Sequence, residues 1–227
     1  MRFYTNVQMV GDNFLVRGYE DGKHFATREK FYPTLFVDSK RKTKYKTLDG
    51  LPVEPIEPGT VRECREFIKK YNDIENFNVY GNERFIYQYI SSKYPEVEVK
   101  FDIEKIKLTT IDIEVASENG FPDVESCAEE VLLITLQDYT TKQIRTWGRG
   151  KFNNKQENVI YKGFNTEYEL LTDFINWWMI EDNTPEVITG WNSKLYDIPY
   201  LCRRIDRILG EKLKKRMSPW GLVTEEE

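Results

Sequence analysis

Asp112 and Glu114 stand two apart in Leu108-Thr109-Thr110-Ile111-Asp112-Ile113-Glu114-Val115, a stretch that alternates strictly. On a strand, side chains at i and i+2 share a face and lie roughly 7 Å apart. Ile111, Ile113 and Val115 then point the other way, into apolar packing. Two carboxylates on one face of a core-forming strand are costly unless something compensates them. Divalent cations would compensate both, and a pair of ions about 3.5–4 Å apart suits phosphodiester hydrolysis. The plainer reading of D-x-E is an amphipathic strand with a wet polar face. A third carboxylate, Asp197, stands in Gly190-Trp191-Asn192-Ser193-Lys194-Leu195-Tyr196-Asp197-Ile198-Pro199-Tyr200, beyond a short strand and at a helix start. Asp is also a favoured N-cap, and Asp-Ile-Pro fits a helix start. The two roles are compatible, because a carboxylate at a helix start can still face a shared ion.

The rest of the composition narrows the chemistry. His24 is the only histidine among 227 residues, which removes histidine zinc sites and Ser-His or Cys-His nucleophile pairs. Metal chemistry must then rest on carboxylates, which select hard ions such as Mg²⁺ or Mn²⁺. Cys64, Cys127 and Cys202 are far apart and odd in number, as expected of reduced thiols. A net charge of −5 counts against a simple nucleic-acid binder. Local basic stretches, Lys40 to Lys46 and Arg203 to Arg216, can still track a phosphate backbone, although each also reads as a solvated face. No segment has the length and apolarity of a membrane span or a secretory leader, so a soluble, intracellular protein is expected.

The elements that must carry these residues can be read from periodicity. Phe3 to Val10 and Phe14 to Tyr19 read as strands around turns at Gly11-Asp12-Asn13 and Asp21-Gly22-Lys23. Pro52, Pro55, Pro58 and Gly59 suggest an irregular connection. Thr60 and Glu63 have capping-box spacing before the stripe Val61, Cys64, Phe67, Ile68, Tyr71. A second helix is expected from Glu83 to about Ser92, and a domain boundary near residue 100. Beyond it, Leu108 to Val115, Val131 to Leu136, Gln143 to Trp147 and Asn158 to Lys162 read as strands. The apolar run Val131 to Leu136 suits a strand buried on both faces. Thr166 and Glu169 start another capped helix with the stripe Leu170, Leu171, Phe174, Trp178. A short strand at Glu186 to Trp191 and a helix from about Ile198 to Leu209 follow. Strands, helix, strand, helix is the order of a ribonuclease-H-like α/β core.

At this point the sequence resembles family B DNA polymerases, most closely the replicative enzymes of T-even-like bacteriophages. Ile111-Asp112-Ile113-Glu114-Val115 is similar to the family's first exonuclease motif, D-I-E. Ser117-Glu118-Asn119-Gly120-Phe121-Pro122 is similar to the S-x-x-G-F-P segment of the phage subgroup. Thr189-Gly190-Trp191-Asn192 with Tyr196-Asp197-Ile198-Pro199-Tyr200 is similar to the second motif, N-x-x-x-[F/Y]-D. Phe3-Tyr4, Gly11-Asp12, Thr27-Arg28-Glu29, Pro33-Thr34-Leu35-Phe36 and Lys215-Arg216-Met217-Ser218-Pro219 extend the likeness over nearly the whole chain.

The resemblance implies an α/β protein: a strand-rich α+β N-terminal domain (residues 1–100), then an incomplete ribonuclease-H-like 3′→5′ exonuclease domain (residues 101–227). It implies that Asp112 bridges two Mg²⁺ or Mn²⁺ ions, Glu114 binds the one nearer the attacking water and Asp197 holds the second. Asn192, Tyr196 and Phe121 would position a frayed 3′ end, with ordinary loop packing as the alternative for Phe121. The partners implied are DNA, as a single-stranded 3′ end and primer-template, and replication proteins such as a sliding clamp, in the cytoplasm of an infected bacterium. The family's third exonuclease motif, Y-x-x-x-D, would follow further along a longer polymerase. The chain alone is therefore expected to synthesise no DNA and to excise weakly. Two other readings are a non-catalytic single-stranded nucleic-acid-binding module, centred near Lys44 and Tyr45, and a stand-alone exonuclease of the same carboxylate class.

Overall fold

A computed structural model describes residues 1–95, 99–117 and 120–224. Glu118 and Asn119 of the S-x-x-G-F-P segment, and the acidic end at 225–227, lie outside the described residues. The chain divides into two compact units, Met1–Asp102 and Ile103–Glu227.

In the first unit, β1 (Arg2–Val10), β2 (Asn13–Glu20) and β3 (Lys23–Lys30) form an antiparallel sheet in that order. Asp21 and Gly22 join β2 to β3 with φ of 50° and 78°. Two left-handed residues give the turn twist that a two-residue hairpin needs, which Asp-Gly supplies at low cost. A second sheet has the order β5 (Tyr45–Lys46), β6 (Pro52–Ile56), β4 (Leu35–Asp38), β7 (Val79–Tyr80). β6 corrects the irregular connection expected of the prolines. Ser39 N–H donates to Pro52 O at 3.0 Å, so alternation leaves Pro55, opposite Phe36, in a pair without mutual bonds. Its missing N–H costs the β4 ladder nothing, and Pro52 opens the strand, where proline is tolerated. The helix α1 (Val61–Tyr71) has the full capping box: Glu63 N–H donates to the Thr60 hydroxyl and Thr60 N–H to the Glu63 carboxylate. With α2 (Phe85–Lys93) it covers a core of Phe14, Val16, Leu35, Val61, Cys64, Phe85 and Tyr89.

The second unit is built on one five-stranded sheet. Its strands are β8 (Leu108–Val115), β9 (Val131–Asp138), β10 (Ile144–Arg149), β11 (Val159–Phe164) and β12 (Val187–Thr189). Their order is β11-β10-β9-β8-β12; β8, β9 and β10 are antiparallel, while β11 runs parallel to β10 and β12 parallel to β8. This mixed sheet with its helices is of the ribonuclease-H-like kind. The helix α3 (Glu167–Trp178) starts on a second full capping box, Thr166 with Glu169. Its Leu170, Leu171, Phe174, Ile175 and Trp178 are buried with Ile111, Ile113, Ile134, Leu136 and Trp147 of the sheet. Each such side chain contributes about 1.5–3 kcal/mol of burial. The helix α4 (Asp197–Leu209) adds Tyr200, Leu201 and Ile205 to the same core, and α5 (Glu211–Lys214) follows it.

β9 is less enclosed than its apolar run implies, since Leu132 and Leu133 are only half-buried. Its buried residues are Val131, Ile134 and Leu136, spaced three and then two. The spacing of three has a cause in the register: Glu114 faces Leu133 while Val115 faces Val131, so Leu132 is the extra residue of a bulge.

Candidate active site

β8 separates its side chains as the alternation demands. Ile111 and Ile113 are buried in the core, whereas Asp112 and Glu114 are exposed on the opposite face, across from Thr135 and Leu133. A hydrogen bond between the hydroxyls of Thr135 and Thr146 continues this polar face onto β9 and β10.

The third carboxylate arrives from the other edge of β8. β12 pairs only with Leu108, Thr109 and Thr110, then the chain turns away. At that point Gly190 lies against β8 so closely that a Cβ there would stand 2.5 Å from the Ile111 carbonyl oxygen. Only a residue without a side chain fits that approach. Asn192 follows with φ of 58°, a left-handed conformation that Asn tolerates, and its carbonyl accepts from Leu195 N–H and Tyr196 N–H, each at 3.0 Å. This tight turn delivers Asp197 to the edge β12 has left. Asp197 Oδ1 accepts from Ile113 N–H at 3.0 Å, the backbone group between Asp112 and Glu114.

Asp197 is therefore not an N-cap. The cap position is Tyr196, which makes no side-chain capping bond, and Asp197 is the first helical residue. It is 4 % exposed. Burial pushes its carboxyl above the ordinary carboxylate value; the Ile113 N–H and its own backbone oppose that, and the charge of Asp112 adds to it. Its ionised form is thus under-compensated, the condition a cation relieves. Tyr196 is raised as well, by burial first and then by the charges of Asp197 and Glu114. Among the described residues, no three or more Asp, Glu, His or Cys side chains close into a ready cage for an ion. The fit to a hard divalent cation lies in the donor chemistry and in Asp197's unrelieved charge.

The residues expected to hold a DNA end fall around the same turn. The Phe121 ring lies 5.0 Å from that of Tyr196, inclined at 45°, and is 84 % exposed. Tyr196 is backed by Tyr200, whose ring is 5.6 Å away and whose hydroxyl donates to Glu129 O at 2.8 Å. Burial above all pushes the Tyr200 phenol up to about 12. The Asn192 side chain is exposed. Trp191 and Leu195, outside the residues expected from the motifs, are 95 % and 71 % exposed on this turn. Large apolar side chains between a strand and a helix were the available signal, but periodicity cannot distinguish exposed from buried in a turn. Part of the basic stretch from Arg203 is engaged within the unit, since Arg204 pairs with Glu167, Lys214 with Asp206 and Lys215 with Glu211, while Lys212 and Arg216 are exposed. Lys40, Arg41, Lys42, Lys44 and Lys46 are exposed.

Comparison with known proteins identifies the family. The model for the exonuclease domain of DNA polymerase family B matches residues 58–227. The DNA-directed DNA polymerase of Escherichia phage RB69 is 30 % identical over 96 % of this chain and 27 % of its own length. That of Enterobacteria phage T4 is 30 % identical over 97 % of the chain and 27 % of its own length. The DNA polymerase catalytic subunit of Human herpesvirus 6A is 36 % identical over 44 % of the chain. The chain thus spans about a quarter of the length of the phage relatives it matches. A likeness over both units, together with a family model matching most of the chain, makes this protein a member of DNA polymerase family B through its exonuclease domain.

Proposed function

We propose that this chain supplies the metal-dependent 3′→5′ proofreading site of a replicative DNA polymerase, with residues 1–100 as its N-terminal domain and 101–227 as its exonuclease domain. The observation that carries this reading is the Asp197 carboxylate bound to the β8 backbone between Asp112 and Glu114. Asp112, Glu114 and Asp197 would hold two Mg²⁺ or Mn²⁺ ions. When bound, such ions neutralise phosphate charge and lower the pKa of an attacking water. Phe121 and Tyr196 would stack on the unpaired 3′ bases, and Asn192 would bond to the terminal nucleotide. Base–aromatic stacking is worth about 1–3 kcal/mol per base and is sequence-tolerant, as proofreading of any mismatch requires. The reading implies action on the primer-template in the host cytoplasm, and association with a sliding clamp through a longer enzyme.

The test joins binding to excision. Mn²⁺ titration followed by electron paramagnetic resonance should show ions bound by the parent chain and at least tenfold weaker by Asp112→Asn. Removal of 3′ nucleotides from 5′-labelled single strands, with Mg²⁺ or Mn²⁺ against EDTA, should be slow for the parent and absent for the variant. Equal Mn²⁺ binding by parent and variant would refute the assignment.

A second reading has its own observation. Lys44 lies over the Tyr45 ring at 4.9 Å, and Phe36 is 5.2 Å from Tyr45, within a run of exposed cations. Such a surface suits single-stranded nucleic acid. Binding of labelled oligonucleotides that weakens steeply with salt and is lost in Lys44→Ala/Tyr45→Ala would support it.

A further inference from the structure

Four side chains of α4, at Tyr200, Arg203, Arg204 and Arg207, follow the i, i+3, i+4, i+7 spacing of one helix face. All four donate to backbone carbonyls of a single segment. Tyr200 Oη reaches Glu129 O at 2.8 Å, and Arg203 Nη1 reaches Val124 O at 2.9 Å. Arg204 Nη1 reaches Cys127 O at 2.9 Å and Ala128 O at 3.0 Å, and Arg207 Nη1 reaches Ser126 O and Cys127 O, both at 3.1 Å. These carbonyls belong to a non-repetitive stretch, and Cys127 sits there with φ of 42°. A non-glycine residue holds such a conformation only where its surroundings over-determine it.

The two ends of this arrangement are the two sides of the candidate site. α4 begins with Asp197, directly after Tyr196, while the bonded segment follows Phe121 and buried Pro122 and leads into the β9 bulge opposite Glu114. We infer that Arg203 and Arg207 are positioning residues: by tying residues 124–127 to α4, they hold Phe121 against Tyr196 at the mouth of the site. This rests on the exonuclease reading for its purpose, but not for its geometry. Arg204 shares the face but also carries the buried pair with Glu167, so its loss would confound positioning with folding. Arg207 is exposed and Arg203 half-buried, which makes them the usable probes.

The experiment places 3-fluorotyrosine at Tyr196 in the full chain and reads its ¹⁹F resonance without DNA or metal, with Phe121→Ala defining the uncovered state. Arg203→Met/Arg207→Met keeps the side-chain stems and removes the donors. Its resonance should move most of the way to that of Phe121→Ala. Arg203→Lys/Arg207→Lys restores one donor at each position and should return the resonance toward the parent. A folded Met/Met chain, with parental tryptophan emission and an unmoved resonance, would overturn the inference. If Met/Met does not fold, Arg207→Met alone is read by the same two criteria. With single-stranded DNA, KM should rise about tenfold while kcat stays within about twofold, whereas mere loss of folded protein would lower kcat. An unchanged KM would also overturn it. Because the resonance is read without DNA, failure of excision by the parent chain would sink the exonuclease reading and leave the positioning result standing.

Discussion

Replacing Asp197 by asparagine should make the metal-free protein more stable while destroying its proposed activity. The magnitude follows from three terms. Asp197 is buried, and both burial and the neighbouring Asp112 charge disfavour its ionised form. Relieving them is worth roughly 2–3 kcal/mol for a carboxylate at this depth. Against that, the bond from Ile113 N–H, 3.0 Å to Oδ1, survives on the asparagine oxygen but loses its charge assistance, about 1 kcal/mol. The net gain is about 1–2 kcal/mol, or a rise of roughly 3–10 °C in Tm for a domain of this size. The pH dependence has a definite sign. A raised folded-state pKa means that the folded chain holds the proton better than the unfolded one, so Asp197's stabilising contribution is full below 3.8 and is lost as pH rises through its elevated value. The advantage of asparagine should therefore grow as pH rises through that elevated value and vanish below about pH 4. Thermal unfolding in EDTA across that range measures it. Asp197→Ala is the counter-variant: it relieves the same charge but orphans Ile113 N–H, so it should be about 1–3 kcal/mol less stable than Asp197→Asn. Mn²⁺ should raise the Tm of the parent at pH 7 but not that of Asp197→Asn. An asparagine chain less stable than the parent at pH 7, or an advantage unchanged at pH 4, would refute the electrostatic account.

Two further outcomes follow from the geometry. Gly190→Ala sets a Cβ 2.5 Å from Ile111 O, so it should cost about 1–3 kcal/mol in urea unfolding and weaken Mn²⁺ binding by displacing the turn before Asp197; unchanged values in both would show that the approach is not needed. Glu167→Gln leaves Arg204, 5 % exposed, without its bidentate partner and should cost about 3–5 kcal/mol, whereas Glu167→Met/Arg204→Met, which removes both charges, should cost less.

Much of this arrangement can be read before any coordinates, because its causes are local. Thr60 with Glu63 and Thr166 with Glu169 announce helix starts by spacing alone, and both boxes are formed. The alternation around Asp112 and Glu114 likewise assigns each side chain a face without reference to the rest of the molecule. What stays hidden depends on partners distant in sequence. Proline's cost in β6 is set by which neighbour its absent N–H would have faced. Asp197 looks like a cap until β12 is seen to leave Ile113 N–H unpaired. The arginines of α4 look like a basic patch until the carbonyls of residues 124–128 are placed beside them. In each case the chemistry of the residue is legible and its partner is not, since a charge-rich side chain is equally at home in water.

The extra residue in β9 carries a consequence for length variation. With Leu132 bulged, Val131 and Ile134 face the same core although they are three apart. Deleting Leu132 would leave them two apart, in the natural phase of a strand, so the core side would be kept on both sides of the cut. A deletion between Ile134 and Leu136 would instead throw one half of the strand onto the wrong face. This joint can thus absorb a one-residue change between the segment that bears Phe121 and the ladder that bears Asp112. Drift in the length of one need never reach the carboxylates of the other.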